Sequence, residues 1–264
     1  MRRILILLAT LLAAPLAGAA VVGEEVVYAS GDTELHGYIA HDEAVKGKRP
    51  GVLVVHEWWG HNDYARDRAR QLAGLGYVAL AVDMYGQGKR ADHPEDAGKF
   101  AGELRSNLAA AEARFRAAMQ RLQQHPLVRG DDIAAIGYCF GGGMVLEMAR
   151  RGLPLDAVAS FHGSLATDNP AEPGVIQAEI LVANGGADPF VKLEQIQAFV
   201  AEMEQAGAAY TYVSYPGVKH SFTNPGADEM GEKFDLPLVY DAHADRDSWE
   251  KMKALLAGAF ARGD

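Results

Sequence analysis

Six short apolar runs constrain the fold of this chain more than any other feature. They span residues 51–57, 77–83, 132–139, 157–163, 179–186 and 209–216. Each run is almost continuously apolar and rich in β-branched residues, a pattern typical of strands that are buried on both faces of a parallel sheet. Helical patterns separate the runs, so strand and helix alternate along the chain. This alternation predicts a doubly wound α/β domain with right-handed crossovers.

An N-terminal hairpin adds two strands, because strand-like residues at 26–30 and 34–40 flank a turn at Gly31-Asp32. The prediction is therefore a mostly parallel sheet of about eight strands with helices on both faces. Helices are expected at 63–76, 97–125, 141–152, 190–207 and 247–261. The segment 97–125 is predicted as one long Ala-rich helix that ends before Pro126. No linker or repeat divides residues 21–264, so we expect a single domain there.

The N-terminal segment 1–20 has the pattern of a secretory signal peptide. Arg2 and Arg3 precede an apolar run at 4–16, and small residues follow at 17–20. The apolar run is too short to span a membrane comfortably, although a retained anchor is the alternative. We therefore expect an exported protein, periplasmic or secreted, without stable membrane insertion after the leader is removed.

Composition excludes several classes of protein. The chain has a formal net charge of −10 and no cluster of Lys and Arg, which argues against nucleic acid as a partner. Its hydrophobic content of 49% is ample for a buried core and argues against disorder. Cys139 is the one cysteine, so no intramolecular disulfide can form, and a thiol-exchange role would lack a resolving thiol.

The sequence around this cysteine indicates a nucleophile. Gly137-Tyr138-Cys139-Phe140-Gly141 closes an apolar run and opens a helical pattern. It has the form of the nucleophile elbow G-x-S-x-G with sulfur in place of oxygen, in which glycines leave room for a sharp strand-to-helix turn. The N-terminus of the following helix favours a thiolate. The alternative is a buried cysteine that acts as a small hydrophobe.

An elbow nucleophile requires an acid and a histidine later in the chain, in that order. Asp188 follows the run 179–186, and His220 follows the run 209–216. Both are placed at the carboxyl ends of predicted strands, where such folds bind ligands. Asp188 could instead cap a helix, or do both. His162 precedes Asp188, breaks the order, and is expected to line the pocket.

The segment His56-Glu57-Trp58-Trp59-Gly60-His61 invites a zinc interpretation that its spacing does not support. The metalloprotease motif places two histidines four residues apart on one helix, whereas these are five apart at the end of a strand. We therefore predict no metal. The two tryptophans are expected in the pocket wall, with core packing as the alternative.

Together, the motifs HEWWG, DMYG, GYCFGG, GGADPFV and GVKHSF resemble the dienelactone hydrolase family of α/β-hydrolases, over essentially the whole chain after the leader. The resemblance implies an α/β-hydrolase fold and the cleavage of an ester or lactone without a cofactor. It implies that Cys139 is the nucleophile, His220 the base and Asp188 its orienting acid. It also implies that Glu57 hydrogen-bonds the resting thiol and takes part in its activation.

The resemblance further implies an oxyanion hole made of the backbone N–H groups of Trp58 and Phe140. The substrate pocket is expected to include Trp59, Tyr85, His162 and Asn224. Two arginines that hold a substrate carboxylate in the family have no counterpart here, because the matching positions read Gly86-Gln87 and Asn224. Lys89 or Arg90 could replace one of them from a shifted loop. The segments 163–177 and 223–247 are expected to be irregular and to cap the pocket.

The predicted function is the hydrolysis of a small ester or lactone through a Cys-His-Asp triad and an acyl-cysteine intermediate. A thioesterase that uses the same triad is one alternative. A non-catalytic protein that binds a small molecule on a hydrolase scaffold is the other, since a fold does not establish a function.

Overall fold

The computed structural model of the chain describes residues 20–262. The signal peptide predicted at 1–20 therefore lies outside the described residues, except for its last residue. In the described range, none of the helices has the length and apolar character needed to cross a membrane.

The core of the fold is an eight-stranded sheet with the order β1-β2-β4-β3-β5-β6-β7-β8. Its strands are β1 (Val21–Ser30), β2 (Thr33–Asp42), β3 (Arg49–Val55), β4 (Val78–Val82), β5 (Val128–Tyr138), β6 (Ala157–Phe161), β7 (Glu179–Gly185) and β8 (Tyr210–Tyr215). β2 pairs antiparallel with both of its neighbours, and the pairs from β4 to β8 are parallel. The predicted doubly wound, mostly parallel sheet is confirmed, including the N-terminal hairpin.

Helices cover both faces of the sheet. They are α1 (Asp63–Gly74), α2 (Pro94–Arg105), α3 (Leu108–Gln123), α4 (Phe140–Arg150), α5 (Leu193–Ala206), α6 (Ala227–Phe234) and α7 (Ala242–Phe260). Apolar residues of α1 and α7 pack on one face of the sheet. Those of α3, α4 and α5 pack on the other. The strands β3, β4, β6 and β7 are buried almost completely, whereas the edge strand β8 is mostly half-buried or exposed. Burial on both sides explains why the inner strands read as nearly continuous apolar runs.

The helix predicted at 97–125 is wrong as a single element, because α2 and α3 are separated at Ser106 and Asn107. The Ser106 hydroxyl donates to the Gly102 carbonyl at 2.9 Å. The Asn107 side chain accepts the Ala110 N–H at 3.1 Å and caps α3. Short polar side chains compete in this way for backbone hydrogen bonds, and two in succession end one helix and begin another.

The segment 163–177 is irregular as expected, and it is tied down at two points. Arg150 forms a buried ion pair with Glu202 at 2.8 Å and donates to the Leu165 carbonyl at 2.9 Å. Glu202 also accepts the Ala171 N–H at 2.9 Å. The segment 223–247 is not irregular throughout, because it contains α6 and the first turn of α7.

Parallel pairing places the ends of several strands along one edge of the sheet. β3, β5, β7 and β8 run in the same direction and are followed by Glu57, Cys139, Asp188 and His220, respectively. Ligands bind at this edge in open α/β folds. The topology therefore brings four of the predicted site residues to one end of the domain.

Candidate active site

Cys139 lies on a sharp turn between β5 and α4. Its backbone has φ 53° and ψ −113°, a conformation that side-chain-bearing residues adopt only where the surroundings enforce it. A Cβ on Gly137 would lie 2.1 Å from the Gly141 carbonyl oxygen, and a Cβ on Gly141 would lie 2.3 Å from the Val55 carbonyl oxygen. Both positions therefore require glycine, as the G-x-C-x-G pattern predicts.

His220 connects Cys139 to Asp188. The His220 Nδ1 and Asp188 Oδ2 atoms are 2.7 Å apart, and both residues are buried. Burial alone would lower the pKa of His220. The charge of the Cys139 sulfur and its hydrogen bond, together with those of the Asp188 carboxylate, outweigh burial and raise the pKa to about 10. The arrangement therefore favours the protonated form of the imidazole, which lies between the Cys139 sulfur and the Asp188 carboxyl group.

Asp188 also holds its own loop. Its second carboxylate oxygen accepts the Phe190 N–H at 2.9 Å, two residues on. The two roles considered for this residue, histidine partner and local backbone acceptor, are thus both present in the structure. Each oxygen serves one role, so the carboxylate has little freedom to rotate.

Glu57 is buried beside this pair and has different partners from those that the family resemblance implies. Its carboxylate accepts the Asn224 amide at 2.6 Å and the Ser221 hydroxyl at 3.1 Å, while the sulfur of Cys139 interacts with His220. Burial raises the pKa of Glu57, and the hydrogen bonds and the charge of His220 oppose that rise without cancelling it. Glu57 thus links the loop after β3 to the loop that carries His220.

Two backbone N–H groups of the candidate site have no acceptor among the described residues. Within the described part of the chain, neither the Trp58 nor the Phe140 N–H donates to another residue. Phe140 is the first residue of α4, so its N–H belongs to the electropositive end of a helix. The Trp58 carbonyl accepts the Tyr85 hydroxyl at 2.9 Å, which fixes the loop after β3. Free N–H groups and a fixed loop are features that an oxyanion hole also has.

His162 does not line an open pocket. It is fully buried behind the elbow with φ 41°. The Cys139 N–H is shared between the Phe161 carbonyl at 3.0 Å and the Nδ1 atom of His162 at 3.1 Å. Since Nδ1 accepts, Nε2 carries the proton and donates to the Thr223 hydroxyl at 2.8 Å. Burial lowers the pKa of His162 well below its usual value, and the ring is neutral. The residue supports the nucleophile's backbone.

A buried polar chain continues from this histidine and was not predicted from the sequence. The Thr223 hydroxyl is 2.7 Å from the Tyr64 hydroxyl, and the Thr223 carbonyl accepts from Arg68 at 2.6 Å. Arg68 pairs with Asp245 at 2.6 Å. The chain ties the His220 loop to α1 and α7. Its members are far apart in sequence, so no local pattern indicated it.

The other expected pocket residues occupy varied environments. Trp59 and Tyr85 are almost fully buried, while Asn224 is half-buried and bonded to Glu57. Trp59 packs against Phe234 of α6 in a small apolar cluster above the sheet. Lys89, a candidate cation, is exposed at a cavity of about 200 Å³ beside Tyr85.

Phe190 was missed by the sequence analysis. It is half-exposed, and its ring meets the ring of His220 edge-on at 5.0 Å.

Among the described residues, no group of three or more His, Cys, Asp or Glu side chains is arranged to hold a metal ion.

Comparison with known proteins identifies the family. Residues 35–260 match the model of the dienelactone hydrolase family. A protein of Synechocystis sp. named "Putative carboxymethylenebutenolidase" is 32% identical, and the match covers 84% of this chain and 91% of that protein.

Two solved structures are also similar. The protein m3DLH is 39% identical with a TM-score of 0.85, and the match covers 91% of this chain and 99% of that one. A dienelactone hydrolase-like promiscuous phosphotriesterase from metagenomic libraries is 36% identical with a TM-score of 0.83 and the same coverage. The chain therefore belongs to the dienelactone hydrolase family of ester and lactone hydrolases.

Proposed function

We propose that this chain hydrolyses a small ester or lactone through a covalent intermediate on Cys139. The observation that carries the proposal is the connected set of Cys139, His220 and Asp188 at the carboxyl edge of the sheet. A nucleophile, a base in contact with it and an acid that orients the base are the groups that acyl transfer requires. The Phe140 N–H, on the residue after the nucleophile, and the Trp58 N–H, in the loop after the neighbouring strand β3, complete the set.

In the first half-reaction, the Cys139 thiolate attacks the carbonyl carbon of the substrate. A sulfur–carbon bond forms, and negative charge moves to the carbonyl oxygen, which the Trp58 and Phe140 N–H groups stabilise. The bond to the leaving oxygen then breaks as protonated His220 donates its proton to that oxygen. The raised pKa of His220 favours the form of the ring that carries this proton.

In the second half-reaction, a water molecule attacks the acyl-cysteine. His220, now neutral, takes a proton from the water, and Asp188 stabilises the resulting imidazolium. The carbon–sulfur bond breaks, the carboxylic acid product leaves, and the thiolate–imidazolium pair is restored. Atoms and charges balance over the cycle without a cofactor.

The substrate class that fits this site is a neutral ester or lactone. Asn224 stands at one of the family's arginine positions, and its amide is already donated to the Glu57 carboxylate. The other arginine position reads Gly86-Gln87. Without a guanidinium at these two positions, a substrate carboxylate would lose its charge-assisted hydrogen bonds. We expect a higher kcat/KM for neutral esters than for matched esters with a carboxylate near the reacting carbonyl.

A thioesterase on the same residues is the second candidate, because a thioester presents the same carbonyl to the nucleophile. The two candidates differ in the leaving atom alone. The ratio of kcat/KM for a matched pair of acetyl thioester and acetyl ester separates them, and a large preference for the thioester would replace the ester in the proposal.

A burst experiment with p-nitrophenyl acetate tests covalent catalysis. We expect a burst of p-nitrophenol stoichiometric with the enzyme and an acetyl group on Cys139 in the mass spectrum. Cys139→Ala should abolish both, and His220→Ala should slow the burst. His243→Ala, at an exposed position on α7, is the matched histidine control and should resemble the wild type. Acetylation elsewhere, or an unaltered burst in Cys139→Ala, would refute the mechanism.

A further inference from the structure

We propose that His56 is a positioning residue that fixes both N–H groups of the oxyanion hole. This role rests on the proposed acyl-transfer function. His56 follows β3 directly and is fully buried. Its ring and its backbone contact the segment that carries the Trp58 N–H and the segment that carries the Phe140 N–H.

The hydrogen bonds of the His56 ring determine its protonation. Nε2 is 3.3 Å from the Met84 backbone N–H, which can only donate, so Nε2 must be unprotonated. The proton therefore lies on Nδ1, which donates to the Glu57 carbonyl at 2.6 Å. Burial lowers the pKa of His56, although the Glu57 carbonyl and the charge of Asp83 oppose the shift. The neutral ring thus acts as a fixed bridge between the loops after β3 and β4.

The acceptor of this bond belongs to the peptide that carries the oxyanion donor. The Glu57 carbonyl and the Trp58 N–H are part of one planar trans peptide, so they point in opposite directions. The same carbonyl also accepts the Gly60 N–H at 3.1 Å. Rotation of this peptide would break both bonds. His56 therefore fixes the direction of the Trp58 N–H by holding the opposite end of its peptide.

His56 contacts the second donor through its ring and its backbone. The His56 and Phe140 rings stack at 5.7 Å between centroids with an interplanar angle of 21°. The His56 carbonyl accepts the Gly141 N–H at 3.1 Å, in the first turn of α4. One residue thus fixes the distance and the angle between the two N–H groups. Preorganisation of this kind is the main requirement of an oxyanion hole.

The test compares two reactions of the Cys139 thiolate. Acylation by p-nitrophenyl acetate passes through an oxyanion, whereas alkylation by iodoacetamide is a displacement at carbon that forms none. In His56→Phe, which keeps a ring for stacking but has no nitrogen, the acylation rate should fall roughly 10- to 100-fold, less than the ~10²–10³ observed when a donor is removed entirely. The alkylation rate and its pH profile should match those of the wild type.

Two further variants make the experiment decisive. His56→Asn keeps a donor near the position of Nδ1 and should recover most of the acylation rate. His61→Phe changes another buried histidine five residues on in the chain and should leave both reactions unaltered. Circular dichroism establishes that each variant folds, and His56→Leu, which is smaller and also lacks both nitrogens, replaces His56→Phe if that variant does not.

The outcomes separate this role from the proposed function. Equal acylation by the wild type and His56→Phe would overturn the role of His56 alone. A parallel loss of acylation and alkylation would also overturn it, since it would show a structural effect on the nucleophile. A wild-type protein that is alkylated on Cys139 but never acylated would overturn the proposed function and this role with it.

Discussion

Substitution of Cys139 by serine should lower the pKa of His220 sharply. The pKa of His220 is raised from 6.5 to about 10 although the ring is buried. That difference corresponds to a preference on the order of 5 kcal/mol for the protonated ring. The charge of the Cys139 sulfur is the largest of the contributions that raise the pKa. Serine keeps the shape and the hydrogen bond but carries no charge at neutral pH, so burial should then dominate.

Nuclear magnetic resonance of a sample labelled in its histidine rings measures this change directly. The wild-type His220 signal should titrate with a midpoint near the expected value of about 10. In Cys139→Ser the midpoint should move toward or below the ordinary value of about 6.5. The signal of exposed His243, on α7, should titrate identically in both proteins. His220→Gln assigns the signal.

Two results would refute the electrostatic reasoning. An unaltered midpoint in Cys139→Ser would show that Asp188 alone holds the proton. A wild-type midpoint near the ordinary histidine value would show that the pair is neutral at rest. The catalytic cycle would then begin with His220 as a base that must first deprotonate the thiol, as in a serine hydrolase.

Three further predictions concern the same site. Asp188→Asn should lower the pKa of His220 and reduce kcat roughly 10²- to 10⁴-fold in ester turnover assays, because the ring loses its acceptor. Gly141→Ala should lower the free energy of unfolding in urea by roughly 2–4 kcal/mol, because the added Cβ would collide with backbone atoms. Gly98→Ala, in α2, is the control: its Cβ would meet nothing within 4 Å, so this variant should be more stable than the wild type. Glu57→Gln should slow turnover and unfold at a higher temperature than the wild type. That advantage should grow as the pH rises above about 4, where the carboxyl of the unfolded chain ionises, because a raised pKa means that the folded state disfavours the ionised carboxyl. An advantage that shrinks as the pH rises would contradict this sign.

The strands could be predicted because burial on both faces leaves a simple trace in the sequence. β4 is wholly buried and reads as an unbroken apolar run, and β6 is wholly buried with Ser160 as its one polar residue. The bounds of the helices were harder to predict from the sequence. The break at Ser106 and Asn107 depends on side-chain hydrogen bonds to backbone groups that would otherwise bond within the helix. The spacing of apolar residues does not reveal such hydrogen bonds. α6 was missed because its stretch resembled a long irregular loop.

The residues that meet at the candidate site could be placed from the sequence as well, and the residues that hold them could not. Chain order and strand ends placed Cys139, Asp188 and His220, because topology turns sequence order into position. The partners of Glu57 come from a loop more than 160 positions away. His56 was read as part of a rejected metal motif, and its tautomer and its peptide contact exist only in three dimensions.

Strained backbone conformations also occur where residues from distant parts of the chain hold the candidate site. Cys139, His162 and Ser221 have positive φ, and each lies at or just beyond the carboxyl edge of the sheet. Such conformations cost of order 1–3 kcal/mol each and persist only where surrounding contacts determine them. Here the contacts are the glycines around the elbow, the bond from Cys139 to His162 and the bond from Ser221 to Glu57. The backbone conformations that single residues prefer are violated where groups from distant strands must meet. These preferences therefore predict the strands and helices better than the residues that surround and position the candidate site.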